Sequence, residues 1–374
     1  MKGAIVMAPK RPSGEGALEK RNEARPASRA DDSPDLYAAL DLGTNSCRML
    51  IAAPDGAGFR VVDSFSKSVQ LGTGLEQSGR LSRGSMSRTI QALRICQQKL
   101  KRHRVKHMRL VATEACRRAD NAKEFIARVH RETGLMLDII AAEEEARLAV
   151  ISCAPLVSPK TEHLMVVDIG GGSTELVWID LSSVGKRKRK KAIMGIRAGF
   201  KDTIQRSGAK VIDWISVPLG VATLRDQFMD VEDDAARFAL MSWFFEENLA
   251  DFAPYHNTET HDRFQIVGTS GTVTTVAASH LGLKRYDRTK VDGLRMTSEQ
   301  IDSVIRSYLT MGPSGRRSDP RIGQDRQALI MSGAAILQAL MRCWPTDRLS
   351  VADRGLREGL LYSQMNANSV LADE

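Results

Sequence analysis

The chain has 374 residues, of which 42 % are apolar and 26 % are charged, and its formal net charge is +9. This composition is that of an ordinary globular protein, and the length suggests two domains or one large one. No run of about 18 consecutive apolar residues occurs, which excludes a membrane-spanning helix. Five scattered cysteines without a pairing pattern exclude a disulfide framework and indicate a reducing cytoplasm. They are Cys47, Cys96, Cys116, Cys153 and Cys343.

Residues 1–35 are predicted to form a disordered tail. Residues 8–35 contain four prolines and no aromatic or β-branched side chain. Such a segment has little apolar surface to bury, so it has little to gain from folding. We expect the ordered part of the chain to begin at residue 36.

Strands and helices alternate along the rest of the chain, which favours an α/β layer structure. One helix is expected to begin after Ser82, where apolar residues recur at helical spacing. Another is expected to begin after Asn121, which forms the pattern of a capping box with Glu124, and to end at Gly134. The predicted strands are residues 36–41, 47–53, 108–112, 135–141, 264–268 and 348–353, with two more on either side of a glycine turn within 164–180. The other predicted helices are residues 143–153 and 328–341.

The strand–turn–strand pattern restarts after residues 153–160, which we interpret as a linker. This divides the chain into a first domain of residues 36–152 and a second domain of residues 153–366. Residues 367–374 are predicted to be a C-terminal tail.

Positive charge is concentrated in two segments. Residues 186–191 are six consecutive cations, and residues 99–109 contain six cations and two histidines without an acid. Such clusters suit a polyanionic partner: nucleic acid, anionic lipid or a phosphate-rich small molecule. The alternatives are a solvated hairpin tip before a strand-like segment, 192–194, for the first cluster, and a helix C-terminus favoured by cations for the second.

A glycine turn between two apolar strands occurs twice. Residues 41–46 read Asp-Leu-Gly-Thr-Asn-Ser, and residues 168–174 read Asp-Ile-Gly-Gly-Gly-Ser-Thr. In each, an aspartate ends a buried strand, and an apolar residue, glycine and small polar residues follow. We interpret the two turns as a weak internal repeat, one copy in each predicted domain, facing each other across a cleft.

The residue types of these turns suit bound phosphate. Glycines let backbone N–H groups approach an anion closely, and hydroxyl groups add further donors. An aspartate beside phosphate is repulsive unless it holds a cation, which implies Mg²⁺ at Asp41 and Asp168. The predicted phosphate-binding residues are Gly43, Thr44, Asn45, Ser46, Gly170, Gly171, Gly172, Ser173 and Thr174.

Other glycine motifs do not match. No Gly-Lys-Ser/Thr sequence ends either turn, so neither is a P-loop. The second turn leads into a strand, whereas a dinucleotide-binding fingerprint leads into a helix. An ordinary hairpin with permissive turn residues is the remaining alternative.

These motifs resemble those of the exopolyphosphatase / guanosine pentaphosphate phosphohydrolase (Ppx/GppA) family, within the acetate kinase, sugar kinase, Hsp70 and actin superfamily. The resemblance extends from about residue 36 to residue 362. It implies two actin-like (ribonuclease-H-like) α/β domains with an interdomain cleft. The matching segments are residues 41–46, 71–75, 112–117, 144–148, 168–176, 268–272 and 355–359.

The resemblance implies removal of the terminal phosphate of a phosphoanhydride chain by water. Inorganic polyphosphate is the expected substrate, and guanosine penta- or tetraphosphate is the alternative partner. Glu145 matches the family's general base, and Arg117 matches the arginine that clamps the phosphate. Asp41, Asp168 and Glu175 are expected to hold Mg²⁺, directly or through water.

Several alternatives accompany these assignments. Glu143 and Glu144 are interpreted as the first turn of a helix, where its dipole favours acids. Arg117 could instead pair with Asp120 at the surface. A kinase of the same superfamily would place adenosine at residues 268–272, and a non-enzymatic nucleotide sensor would need no base.

Two features depart from the family pattern. Gln70 stands where the family commonly has arginine, and the chain ends soon after Tyr362, so a short form without the helical C-terminal region is expected. Processive action on long polyphosphate is therefore left open, as is a homodimer. No membrane and no specific nucleic acid is expected as a partner.

Overall fold

The computed structural model describes residues 35–197, 199–200, 208–250, 252 and 263–372. The predicted N-terminal tail lies outside the described residues except for Asp35. Within this part of the chain, helices pack on two mixed β-sheets. From Asp35 onward the chain forms one unit by its internal contacts.

The first sheet has five described strands in the order β3-β2-β1-β4-β5. β1 pairs antiparallel with β2 and parallel with β4. The strands are β1 Tyr37–Leu42, β2 Ser46–Asp55, β3 Gly58–Ser68, β4 His107–Ala112 and β5 Asp138–Ile139.

The second sheet has six described strands in the order β10-β11-β9-β6-β7-β8. They are β6 His163–Ile169, β7 Thr174–Asp180, β8 Lys210–Val217, β9 Phe264–Thr269, β10 Arg295–Met296 and β11 Leu349–Ala352. Its central strand β6 pairs antiparallel with β7 and parallel with β9, as β1 does with β2 and β4. The predicted internal repeat is therefore confirmed at the level of sheet topology.

Thirteen α-helices surround the sheets in the described residues. They are α1 Leu75–Ser78, α2 Arg83–Arg102, α3 Glu114–Arg118, α4 Ala122–Thr133, α5 Ala142–Cys153, α6 Arg189–Met194, α7 Val221–Gln227, α8 Asp234–Glu247, α9 Gly271–His280, α10 Arg288–Val291, α11 Ser298–Ser318, α12 Ile330–Cys343 and α13 Leu356–Ala367. In these residues no helix is both long enough and apolar enough to cross a membrane.

Helix α5 packs on both sheets and positions the site. Its Leu148 belongs to the apolar cluster of the first sheet, whereas Val150 and Cys153 belong to a cluster of the second. α13 packs on α5 so closely that a Cβ atom added to Gly359 would lie 2.1 Å from the Leu148 carbonyl oxygen. The N-terminus of α5, where Glu145 lies, is therefore fixed relative to both sheets.

Most predicted elements are confirmed. α2 begins after Ser82, whose hydroxyl accepts a hydrogen bond from the Ser85 N–H at 3.1 Å. Its apolar face, including Ile90 and Leu93, is buried. The basic segment 99–109 begins in the last turn of α2, which favours cations because of the exposed carbonyls there.

The predicted capping box at Asn121 is wrong. The Asn121 side chain instead bonds the backbone of Leu81, accepting from its N–H at 2.8 Å and donating to its carbonyl at 3.0 Å. This buried amide therefore ties the loop before α2 to the start of α4. A tertiary contact has replaced the local cap.

The strand predicted at residues 135–141 is shorter than expected. Leu135 and Leu137 are buried and Met136 is exposed, so the alternation is real. Only Asp138–Ile139 pair with β4, opposite its last two residues, Val111 and Ala112. Alternation therefore predicts which side chains are buried, not which residues pair with a neighbouring strand.

Two predictions about connecting segments are also wrong. Residues 153–160 are not an exposed linker: Cys153, Ala154 and Val157 are buried in the core of the second sheet. Residues 186–194 form a 3-10 turn and helix α6 rather than a hairpin tip and a strand. Within this run the Arg189 side chain is buried and donates to the carbonyls of Val184 and Pro159, at 3.2 and 2.7 Å.

Candidate active site

The two glycine turns have the same geometry. The Gly43 N–H donates to the Ser46 carbonyl at 3.0 Å, and the Gly170 N–H donates to the Ser173 carbonyl at 2.9 Å. In each case the hydrogen bond closes a four-residue turn, residues 43–46 after β1 and residues 170–173 after β6.

The two turns also touch each other. A Cβ atom added to Gly171 would lie 3.2 Å from the Asn45 nitrogen, and one added to Gly172 would lie 2.4 Å from the Thr44 hydroxyl oxygen. A Cβ atom on Gly220 would lie 2.5 Å from the backbone of the second turn. The glycines are thus required for this packing, which sequence reasoning attributed to phosphate alone.

A cleft of about 270 Å³ lies between the two sheets. It brings together most of the predicted site: Asp41, Gly43, Thr44, Asn45, Ser46, Glu145, Asp168, Gly170, Gly171, Gly172 and Ser173. Thr174, Glu175 and Arg117 do not line it. The Thr174 hydroxyl donates to the Leu219 carbonyl at 2.8 Å. Glu175 is buried and accepts a hydrogen bond from the Ser216 hydroxyl at 2.8 Å.

Buried carboxylates dominate the electrostatics of the cleft. Burial, followed by the charges of Glu145 and Asp41, raises the pKa of Asp168 to about 8. Burial and the charge of Asp168 raise the pKa of Glu175, and burial and the charge of Glu175 raise that of Glu145. These acids are costly to ionise together, so the cleft favours a bound cation or proton.

Arg117 holds Glu145 rather than facing the cleft. Its Nη1 donates to Glu145 Oε2 at 2.6 Å and to the Ile140 carbonyl at 3.1 Å, while its Nε and Nη2 donate to Glu114 Oε2 at 3.0 and 2.7 Å. Four of its five N–H groups are therefore used. The surface pair with Asp120 that sequence reasoning considered does not form.

The three consecutive acids of α5 have three different environments. Glu143 accepts hydrogen bonds from the N–H groups of Gly199 and Phe200, at 2.6 and 2.8 Å. Glu144 pairs with Arg147 at 2.7 Å. Only Glu145 lines the cleft.

The Thr44 hydroxyl is an unpartnered polar group in the wall of the cleft. Thr44 is 6 % exposed, and its Oγ1 has no hydrogen-bond partner among the described residues. Leaving a buried hydroxyl unpaired costs roughly 1–3 kcal/mol. A ligand oxygen or an ordered water would recover that cost.

Sequence reasoning missed four arginines that line the cleft: Arg48, Arg326, Arg354 and Arg357. The Arg48 side chain forms no hydrogen bond or ion pair with another described residue, and burial followed by the charge of Arg357 lowers its pKa. Arg48 lies opposite Asp41 in the β1–β2 pairing, so its seven-residue offset from that aspartate was the available signal. The other three converge from distant parts of the chain, without a local signal.

The donor set suits a hard cation. In the described residues no three histidine, cysteine or acidic side chains are close enough to hold a metal by themselves. Mg²⁺ usually takes only one or two carboxylates and completes its shell with waters and substrate phosphates. Asp41 and Asp168, both carboxylates of the cleft wall, fit that pattern.

Two equivalent sheets around a cleft lined by glycine turns and carboxylates define an actin-like fold. The chain belongs to the Ppx/GppA phosphatase family, whose model matches residues 50–368.

Its relatives agree with this assignment. The chain is 27 % identical over 333 residues to the guanosine-5'-triphosphate,3'-diphosphate pyrophosphatase of Aeromonas salmonicida, which covers 89 % of this chain and 60 % of that protein. The chain therefore spans less than two thirds of the curated relatives' length.

Solved structures have the same fold. The crystal structure of the Aquifex aeolicus Ppx/GppA family member matches with a TM-score of 0.70 and 29 % identity, over 89 % of this chain and 98 % of that chain. A crystal structure of an exopolyphosphatase from Cytophaga hutchinsonii matches with a TM-score of 0.74 over 90 % of this chain and all of that chain. At 20 % identity, the second match supports the fold alone.

Proposed function

We propose that the protein hydrolyses the terminal phosphate of inorganic polyphosphate, with the 5'-terminal phosphate of guanosine pentaphosphate as the alternative substrate. The observation that carries this proposal is the place of Glu145, a carboxylate of raised pKa that lines the same cleft as both glycine turns. The Aeromonas relative is named for the nucleotide substrate and the Cytophaga structure for the polymer. Both substrates present a terminal phosphate on a phosphoanhydride chain.

Glu145 is the general base of this proposal. A base works best when its pKa lies near the working pH, and burial raises the pKa of Glu145 towards that range. Its Oε2 accepts from Arg117, whereas its Oε1 bonds to no other described residue. Oε1 takes a proton from water as the water oxygen bonds to the terminal phosphorus and the bridging P–O bond breaks. The products are inorganic phosphate and a chain shorter by one.

Arg117 is a positioning residue in this scheme. Its hydrogen bonds hold the carboxylates of Glu145 and Glu114 on one guanidinium group, and charge-assisted bonds of this kind are strong and geometrically specific. Binding phosphate directly, as the resemblance implies, would require Arg117 to give up part of this network. We therefore assign the direct phosphate contacts to other groups.

Those contacts come from the two turns and from the arginines of the cleft. The Thr44 hydroxyl and the hydroxyls of Ser46 and Ser173 are the side-chain donors of the turns. Arg48 and Arg357 supply positive charge, which counters the charge that spreads over the phosphate oxygens during transfer. In phosphoryl transfer the protein contributes mainly by positioning the reacting groups and by stabilising the negative charge of the transition state.

Mg²⁺ is the cofactor that this donor set would take, held by Asp41 and Asp168. When bound, it supplies charge neutralisation for the phosphate oxygens. Glu175 lies directly opposite Asp168 in the β6–β7 pairing and adds negative charge beside it. Glu175 is thus assigned to the surroundings of the metal rather than to its contact shell.

The alternative functions fit less well. A kinase would place adenosine at residues 268–272, but Arg326 covers this loop, donating to the Gly271 carbonyl and, at 3.0 Å, to the Thr274 hydroxyl. A sensor that only binds nucleotide has no use for a base of raised pKa. A cytoplasmic location belongs to the proposal as well, since all five cysteines are free thiols.

Phosphate release from polyphosphate, guanosine pentaphosphate and ATP, measured side by side with Mg²⁺, tests the proposal. We expect release from the first or second substrate and little from ATP. Transfer from ATP to a small acceptor would indicate a kinase, and tight binding without release would indicate a sensor. Glu145→Gln provides the matched inactive control.

A further inference from the structure

A second cavity, of about 130 Å³, lies behind the cleft. We propose that it takes the inorganic phosphate product and lets it leave by a route other than the one by which the substrate chain enters. This inference rests on the proposed function. The cavity accounts for a sequence motif with no part in the mechanism above: Gly72, Thr73 and Leu75 of the segment 71–75 line it.

The wall between the two cavities is one residue thick. Thr44, Asn45, Glu114 and Gly172 line both cavities. The Thr44 side chain is held between two glycines: a Cβ atom would lie 2.4 Å from its methyl carbon if added to Gly72, and 2.4 Å from its hydroxyl oxygen if added to Gly172. The wall at this point is therefore a single side chain, and its hydroxyl is a buried polar group without a hydrogen-bond partner among the described residues.

The charges of the second cavity suit passage rather than retention. Its two arginines are already paired: Arg118 with Glu76 at 2.6 Å, and Arg225 with Asp226 at 2.5 Å. Paired cations attract an anion weakly, whereas Arg48 of the cleft has no such partner among the described residues. Phosphate moving from the cleft into the second cavity thus leaves the unpaired Arg48 side chain behind and meets only arginines that are already paired.

A chain substrate makes a separate exit useful. The two turns close the inner end of the cleft, where the terminal phosphate is cleaved. The shortened chain still fills the outer part, so the released phosphate lies between that chain and the wall. Thr73 and Glu76 are exposed, which opens the second cavity to solvent on its outer side.

Two pairs of variants test the route, all at residues that line only the second cavity. Gln70→Arg adds a cation there, and Gln70→Met is its uncharged control of similar length. Thr73→Trp narrows the opening of the second cavity. Thr73→Ser is its control, because serine is close in size to threonine and leaves the opening unobstructed. Inhibition of hydrolysis by added inorganic phosphate is measured at saturating polyphosphate for each, together with the KM for polyphosphate.

We expect phosphate to inhibit the wild type even at saturating polyphosphate, because it can enter from behind. Gln70→Arg should strengthen that inhibition about two- to fivefold with an unchanged KM, the range of a partly exposed ion pair. Thr73→Trp should weaken the inhibition and produce a burst of cleavage before steady state. Purely competitive inhibition in every variant would overturn the proposal, and so would a lower KM in Gln70→Arg, which would place the substrate chain in this cavity.

A binding measurement separates this inference from the proposed function. If the wild type does not hydrolyse polyphosphate, the proposed function fails, but calorimetric titration of inorganic phosphate into Gln70→Arg and Gln70→Met still tests the cavity. The inference expects phosphate to bind Gln70→Arg about two- to fivefold more tightly. Equal affinities would contradict it.

Discussion

The two hairpins of the cleft are built alike but carry opposite charge patterns. Asp41 is the last residue but one of β1 and lies opposite Arg48 of β2, seven residues later. Asp168 is the last residue but one of β6 and lies opposite Glu175 of β7, also seven residues later. The first hairpin thus pairs an acid with a base, and the second pairs two acids. Opposite charges across a strand pair are stabilising, and like charges are destabilising.

The difference changes the chemistry of each aspartate. Burial raises the pKa of Asp41, but the charges of Arg48 and Arg357 oppose the rise. Burial raises the pKa of Asp168 to about 8, with Glu145 and Asp41 adding to the rise. The same hairpin geometry therefore gives two different sites. The negative charge of Asp41 is balanced by arginines, whereas that of Asp168 needs an added cation.

The largest effect is expected outside both hairpins. If the hairpins bind the phosphates and Glu145 abstracts the proton, Glu145→Gln should lower turnover about 10²- to 10⁴-fold and leave polyphosphate binding nearly unchanged. Glu144→Gln on the same helix is the matched control, since Glu144 pairs with Arg147 outside the cleft. Steady-state turnover and equilibrium binding of polyphosphate are the measurements. Near-normal turnover in Glu145→Gln would mean that another residue is the general base.

Smaller effects are expected on the acid limb of the pH profile. The charge of Glu175 raises the pKa of Glu145, and Arg117 lowers it. A base acts only when deprotonated, so Glu175→Gln should move the acid limb of kcat/KM to lower pH and Arg117→Met should move it to higher pH. Each shift should be about one pH unit.

The measurement is a pH series of initial rates for both variants. Shifts in the same direction would mean that neither residue acts through Glu145. If the acid limb of kcat/KM stays at the same pH in both variants, the group that titrates there is not Glu145.

The smallest effect concerns the basic surface formed by Lys186, Arg187 and Lys188. This surface follows the C-terminal end of β7, whereas the second glycine turn precedes its N-terminal end. At about 3.3 Å per residue, β7 separates the two by about 20 Å. Replacing the three residues with serine should weaken binding of long polyphosphate about two- to threefold and flatten its salt dependence, because fewer counterions are released. Short polyphosphate should be unaffected.

Arg189 is kept in this experiment because it is buried. Replacing Lys101, Arg102 and Arg104 removes three exposed charges elsewhere and is the matched control. The comparison is KM against chain length at two salt concentrations. Equal effects on long and short polyphosphate would mean that this basic surface does not bind the polyphosphate chain.

Local patterns were enough to predict the repeat of the glycine turns, because each turn is specified by four to seven consecutive residues. Glu145 was distinguished from Glu143 and Glu144 only through its match to the family. Arg326 and Arg357 could not be predicted from local patterns, because they approach Arg48 only after the two sheets come together. The same holds for Asn121, whose side chain bonds the distant Leu81 backbone instead of its own helix.

Burial also decided which residues of a predicted site face the cleft. Thr174 and Glu175 follow the second turn directly, and sequence position alone assigned them to phosphate and metal. In the structure β7 has already begun at Thr174, whose hydroxyl bonds the Leu219 carbonyl, while Glu175 lies opposite Asp168 and accepts a hydrogen bond from Ser216. Strand alternation accounts for Thr174 alone, because directly paired residues such as Asp168 and Glu175 have side chains on the same face of a sheet.

The pH dependence of stability without Mg²⁺ tests the difference between the hairpins most directly. Folding raises the pKa of Asp168 and Glu175, so in this pH range the folded chain holds protons that the unfolded chain has lost. The free energy of unfolding should therefore fall as the pH rises from 6 to about 8. The fall should be at most about 1.4 kcal/mol per pH unit for each group. Glu175→Gln should flatten this fall, as should Mg²⁺ in the wild type. Arg48→Gln, at the equivalent position of the first hairpin, should steepen it by raising the pKa of Asp41. Denaturant unfolding at several pH values is the measurement, and a flatter fall in Arg48→Gln or an unchanged one in Glu175→Gln would contradict the account.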